Sequence, residues 1–196
     1  MVSSYLKYLL LFISSYIAGS FPTAYLMAKW TRGIRLSECG SKSIGAMNLA
    51  SVMGRSWALW VIFIDGWKGA LPVLVGMDMG GIFPYIAGLG AVLGHNFSVF
   101  LRFWGGRGVA TIGGVLFFLS PFAFATAMGI NALVRFTTGY SYLSNITMAL
   151  CLPLVLFLFK GWQAGVILGC GMCVLVVLSY VRNPDVNWRA RRREGD

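Results

Sequence analysis

The sequence predicts an all-α, polytopic membrane protein of seven transmembrane helices, folded as a single domain over residues 1–196. Three observations predict it. First, 58% of residues are hydrophobic, 11% are charged and mean hydropathy is +0.75, whereas a soluble domain carries about a quarter charged residues. Second, several apolar runs approach or exceed the ~20 residues that cross a hydrocarbon core. Third, the basic residues behind the net charge of +10 sit at the ends of those runs, the pattern of cytoplasmic membrane loops. That placement argues for a surface that meets lipid head groups or phosphorylated substrates and against a nucleic-acid partner.

The first span is 5–28, and Pro22 within it predicts a kink. The run is too long for a signal-peptide core and reads as a membrane helix. Residues 29–55 form the longest polar connection, with Lys29, Arg32, Arg35, Lys42 and Arg55 against Glu38. The second span is 57–77 and the third is 82–103. The stretch 109–135 is either one long helix or two short ones broken at Ser120-Pro121. The last two spans are 142–159 and 162–180.

Charge decides the middle stretch. If 109–135 crosses once, the arginine-rich tail (Arg182, Arg189, Arg191, Arg192, Arg193) lies opposite the basic 29–55 loop. If it crosses twice, both lie on one side with the 105–107 turn and Arg135, leaving Lys7 and Lys160 on the other. The positive-inside rule selects the second arrangement, with the N-terminus out and the C-terminus cytoplasmic.

Four cysteines supply little chemistry. Cys39 lies in a polar loop, and Cys151, Cys170 and Cys173 lie in apolar spans, where buried inert thiols are expected. One histidine and scattered carboxylates supply no metal-ligand set. Asn145-Ile146-Thr147 fits a glycosylation sequon that has no meaning in a cytoplasmic loop or a bacterial host.

Two glycine loops stand out. Gly105-Gly106-Arg107-Gly108 opens the helix that contains Thr111. Backbone N–H groups and a helix N-terminus there suit an anion, and Arg107 adds a planar charged fork; the other reading is a tight interhelical turn. Residues 40–48 hold Gly40, Ser41, Lys42, Ser43, Gly45 and Asn48, a second candidate cradle. Asp65 and Lys68 share one helical face inside a span, either as a functional pair or as a structural one. His95 is either a general base or a hydrogen-bonded packing residue.

Taken in order, these residues resemble a known family. Gly19-Ser20-x-Pro22, Gly40-Ser41-x-x-Ile44-Gly45-Ala46-x-Asn48, Asp65-x-x-Lys68-Gly69, Gly94-His95-x-Phe97 and Gly105-Gly106-Arg107-Gly108-Val109-Ala110-Thr111 look like the bacterial acyl-phosphate:glycerol-3-phosphate acyltransferases. The resemblance runs from about residue 5 to residue 185. It implies seven membrane helices in the bacterial inner (cytoplasmic) membrane, with the site facing the cytoplasm. It also implies transfer of a fatty acyl group from acyl phosphate to the 1-hydroxyl of glycerol 3-phosphate, giving lysophosphatidic acid, with no metal or nucleotide cofactor. Ser41 and His95 are then the catalytic candidates. Gly40, Gly45, Asn48, Arg55, Asp65, Lys68, Gly105, Gly106, Arg107, Gly108, Thr111, Arg182 and Asn183 are the substrate-binding candidates.

The chain departs from that family's pattern at several positions. Ser43 and Met47 stand where Asn and Thr are usual. Ser51 stands where an arginine serves the acceptor phosphate, and Arg55, one turn further on, is the expected replacement. Arg107 replaces a lysine, Ser98 replaces a proline, and Arg182-Asn183-Pro184-Asp185 lacks a histidine. Two other functions stay open at this point: an acyltransferase with a different acceptor, and a non-catalytic homologue bound to lipid or to protein partners in a membrane complex. A transporter is disfavoured, because no inverted repeat or charged path crosses the bundle.

Overall fold

A computed structural model describes residues 2–160 and 163–182. Among the described residues the chain is helical, without strands. In order the helices are α1 (Val2–Ser20), α2 (Thr23–Arg32), α3 (Ala46–Met53), α4 (Arg55–Met79), α5 (Phe83–Asn96), α6 (Val109–Leu119), α7 (Pro121–Thr138), α8 (Ser141–Lys160) and α9 (Gln163–Arg182). Short 3₁₀ turns lie at Leu36–Glu38 and Val99–Leu101. Five stretches are long and apolar enough to cross a membrane: Ser4–Arg32, Arg55–Met79, Phe83–Leu101, Ser141–Lys160 and Ala164–Arg182.

The expected kink at Pro22 is a full break between α1 and α2. Proline has no N–H to continue the ladder, so the carbonyls ahead of it need other donors. The 109–135 stretch divides at Ser120-Pro121: Ser120 caps α7 by accepting from the Ala123 N–H at 3.3 Å, and Pro121 takes the first helical position. The third run departs from a continuous 82–103 helix. It leaves α-geometry after Asn96, and Arg102 and Phe103 take φ of 54° and 64°. The chain must fold back here, because Gly105 packs on the His95 and Asn96 carbonyls at the end of α5.

Glycine sets the closest helix crossings. Side chains at Gly90 and Gly94 of α5 would run into the Phe12 and Tyr16 carbonyls of α1. Gly114 of α6 lies on the Gly66 carbonyl of α4 in the same way. Small residues let membrane helices approach closely enough for dispersion to hold them. The main core includes Val73, Ile112, Leu116, Met148, Leu152, Leu168 and Met172, all buried. A satellite core of Ala24, Ala28, Leu36, Leu49, Met53 and Val61 seats α2, the first loop and α3 on α4. Cys170 is exposed on the bundle surface rather than buried, since an apolar helix in a membrane turns one face to lipid. The sequon's Asn145 is turned into the bundle, where it bonds to Asn131 of α7 and Tyr180 of α9.

Candidate functional site

The break at Phe21-Pro22 organises a buried polar cluster. Asp65 Oδ1 accepts from Thr23 Oγ1 at 3.0 Å and from Lys68 Nζ at 2.6 Å. Lys68 Nζ also donates to the Phe21 carbonyl, which lies in the break and accepts from the Thr23 N–H at 3.0 Å as well. His95 Nδ1 lies 3.9 Å from Asp65 Oδ2. Asp65 and Lys68 are 4% and 8% exposed, so neither charge has water to fall back on; the ion pair and its neutral partners replace it. The question the sequence left open is answered in part: the pair anchors the helix break. Both side chains also line a polar pocket with Ser20, Thr23, Ile44, His95, Ser98, Gly105 and Gly106. That pocket joins the break, the first loop, α4, α5 and the glycine turn.

Asn48 ties the first loop. Its Nδ2 donates to the carbonyls of Leu36, Cys39 and Ser43 at 3.1, 3.0 and 2.8 Å, and its Oδ1 accepts from the Ser41 N–H at 2.9 Å. A Cβ at Gly40, which has φ +57°, would strike that same amide. The Lys42 N–H is bonded to the Cys39 carbonyl. Thus the loop is less an open ring of N–H donors than a turn tied to one buried amide. Gly45 precedes the first residue of α3 in extended geometry. Ser41 is half-buried and is not among the residues that line the polar pocket; Ile44 is.

The glycine turn is likewise built on α5. The Gly106 N–H donates to the His95 carbonyl at 3.0 Å, and a methyl at Gly106 would meet the His95 ring. Gly108 (φ +80°) packs on the Asn96 amide and precedes α6, where Thr111 is fully buried against Gly69 of α4. Arg107 donates to the Ser179 carbonyl at 2.6 Å and lies 3.9 Å over the Tyr180 ring. Of the donors in this turn, the Gly106 N–H and one Arg107 nitrogen are bonded within the fold, as the tight-turn reading has it. Exposed Arg182 reaches the Arg102 carbonyl and lies near the Phe97 and Trp104 rings. Asn183 lies outside the described residues.

Arg55 is not one helical turn beyond Ser51. α3 ends at Met53, Gly54 takes φ +102°, and Arg55 starts α4, exposed. Several members of the site were not singled out from the sequence. Thr23 holds Asp65, Ser98 Oγ donates to the Ser20 carbonyl, and Tyr16 donates to the Phe97 carbonyl at 2.8 Å. Pro22 was the available signal, because a break inside a membrane helix creates carbonyls that buried donors must find.

Helices long enough to span, arranged around a buried ion pair and two tied loops, define a polytopic membrane protein with a polar centre at one end of its bundle. The sequence model of the glycerol-3-phosphate acyltransferases matches residues 9–188. The glycerol-3-phosphate acyltransferase of Desulforudis audaxviator is 38% identical over 87% of each chain. That of Geobacter sulfurreducens is 34% identical over 97% of this chain and 96% of its own. A crystal structure of PlsY, an integral membrane glycerol 3-phosphate acyltransferase in its glycerol 3-phosphate form, superposes with a TM-score of 0.85. It is 29% identical and covers 94% of both chains. The chain belongs to the glycerol-3-phosphate acyltransferase family.

Proposed function

We propose that this chain moves a fatty acyl group from acyl phosphate to the 1-hydroxyl of glycerol 3-phosphate, giving lysophosphatidic acid, at the cytoplasmic face of the bacterial inner membrane. The observation that carries the reading is the match to this family's sequence model over residues 9–188, and the small cavity of about 10 Å³ between the helix break, the first loop and the glycine turn marks the polar part of the site. In the reaction the hydroxyl oxygen bonds to the acyl carbon, and the bond from that carbon to the phosphate oxygen breaks. Phosphate leaves with the electron pair, and the hydroxyl proton passes to it. Acyl phosphate is already an activated anhydride, so orientation and charge stabilisation suffice.

Ser41 and His95 are the catalytic residues of this reading: His95 borders the pocket, and Ser41, on the first loop outside its lining, supplies a hydroxyl to the substrate. Asn48, Gly40 and Gly45 set the first loop. Gly105, Gly106, Arg107, Gly108 and Thr111 set the phosphate side, with Arg182 beside it, and Asn183 is a further substrate-binding residue. Asp65 and Lys68 form the pocket wall, and Arg55 reaches for the acceptor phosphate. Strain supports the two loops as functional: Lys42, Arg102 and Phe103 all have positive φ, a conformation that side chains tolerate only where the surroundings enforce it. The topology is seven crossings with the N-terminus out and the C-terminus in. It is supported by the basic loops and by α6 and α7, which at 11 and 18 residues fit a thinned or bundled stretch.

The test is phosphate release by purified protein in a lipid mesophase with palmitoyl phosphate and glycerol 3-phosphate. Release that requires both substrates and is lost in Ser41→Ala supports the reading. Release indifferent to glycerol 3-phosphate assigns another acceptor, and no release from folded protein removes the enzyme reading.

A further inference from the structure

Position 107 carries arginine, and its surroundings are built for an arginine. The guanidinium carbon sits 3.9 Å from the centroid of the Tyr180 ring, and a nitrogen donates to the Ser179 carbonyl at 2.6 Å. Stacking on an aromatic face while donating in the plane is a property of the flat guanidinium that a lysine ammonium does not share. Tyr180 is itself fixed. It is 6% exposed, its hydroxyl accepts from Asn145 Nδ2 at 2.7 Å, and Asn145 Oδ1 accepts from Asn131 Nδ2 at 2.9 Å. The Tyr142 ring meets it edge-on, 5.0 Å between centroids. A continuous chain of contacts therefore runs from the glycine turn through α9 and α8 to α7. The only covalent connection along this route is the long excursion of the chain through those helices. Amide-to-amide and amide-to-phenol bonds within an apolar bundle hold one geometry because their alternatives are unsatisfied polar groups.

We infer that Tyr180 is a positioning residue: it carries the Arg107 guanidinium and, through Asn145, sets the height of the Gly105–Gly108 turn against the phosphate of the substrate. The inference rests on the acyltransferase reading. Tyr180 does not touch the reacting atoms, and its influence passes through Arg107. Its removal should therefore weaken use of acyl phosphate more than it slows turnover, and should matter less once Arg107 has already been changed.

A double-mutant cycle tests this. Tyr180→Leu, Arg107→Lys and the double variant are assayed in mesophase for KM of palmitoyl phosphate and for kcat, with thermal unfolding midpoints alongside. Each single variant is expected to raise KM about tenfold with kcat changed less than about threefold, and the double to be no worse than the worse single. Tyr180→Phe keeps the ring under Arg107 but gives up the bond to Asn145. It is expected to raise KM by about threefold, and it carries the test if Tyr180→Leu does not fold. Effects that multiply in the double variant, or a KM unmoved in Tyr180→Phe, overturn the inference while leaving the acyltransferase reading intact. A parent protein that releases no phosphate overturns both. Coupled unfolding midpoints for positions 107 and 180 would then report the stack as structural only.

Discussion

Lys68 donates to the main-chain carbonyl of Phe21, across the break between α1 and α2. One ammonium thus serves both Asp65 and a carbonyl of the non-helical residues between α1 and α2. The arrangement explains why a lysine is tolerated inside a span, where charged residues are costly.

Lys68→Met should cost about 3–5 kcal/mol, because it leaves Asp65 buried without its counter-charge. Asp65→Leu combined with Lys68→Met should recover part of that loss, since an apolar pair leaves no stranded charge. Thermal unfolding in detergent checks both. A Lys68→Met protein as stable as the parent would show that the pair does not hold the break.

Asn48 concentrates the first loop on one amide, so its two simplest substitutions should rank. Asn48→Ala leaves buried backbone groups unsatisfied, at about 1–3 kcal/mol each before relaxation. Asn48→Asp puts an acceptor-only carboxylate against the carbonyls of Leu36, Cys39 and Ser43 and should be worse. Acyl transfer should fall in the order parent, Asn48→Ala, Asn48→Asp. Equal rates for all three would mean that the loop does not depend on this amide.

Much of this was legible in the sequence. Hydropathy, a local signal, marked the five stretches long and apolar enough to cross a membrane, and the distribution of charge along the whole chain pointed to the division at Ser120-Pro121. The spacing of Asp65 and Lys68 pointed to their pairing, because residues three apart share a helical face. What Lys68 also binds was not legible: Phe21 becomes its neighbour only when α1 and α4 meet. The glycine turn at 105–108 was left open between a ligand cradle and a tight turn, because Gly-Gly-Arg-Gly looks alike whether its N–H groups face an anion or a neighbouring helix. Only the tertiary fold shows that the Gly106 N–H is bound to the His95 carbonyl. The one-turn spacing from Ser51 to Arg55 was misjudged because a helix was carried through Gly54, whose φ of +102° ends one helix and begins the next.

Glycine is required for different reasons at positions 105 and 139, and alanine separates them. At Gly105 a Cβ would strike the His95 and Asn96 backbone, which cannot move without unwinding the end of α5. Gly105→Ala should lower acyl transfer at least about tenfold, the scale of a ~1 Å displacement of a binding group. Gly139 (φ +74°) has nothing within reach, so alanine there meets only the left-handed penalty of about 1–2 kcal/mol. Gly139→Ala should therefore lower the unfolding midpoint while leaving KM and kcat unchanged. Equal activity losses in the two variants would refute the packing argument.

Ser98 stands where the resembling family has proline, and its backbone is already suited to one. Its φ is −64° and its ψ is 123°, within the range that the pyrrolidine ring imposes. Two terms oppose each other in Ser98→Pro. The substitution removes the hydrogen bond from Ser98 Oγ and leaves the buried Ser20 carbonyl without it, a cost of about 1–3 kcal/mol. It also restricts the unfolded chain, worth about 0.4–1 kcal/mol in the opposite sense. The gain offsets only part of the loss, so Ser98→Pro should be less stable than the parent by up to about 2 kcal/mol, whereas Ser98→Ala, with the loss and no gain, should be the less stable of the two variants. Thermal unfolding of the two side by side decides it. A proline variant less stable than the alanine variant would mean that the tie between Ser98 and Ser20, not the backbone of the turn, is what the end of α5 requires.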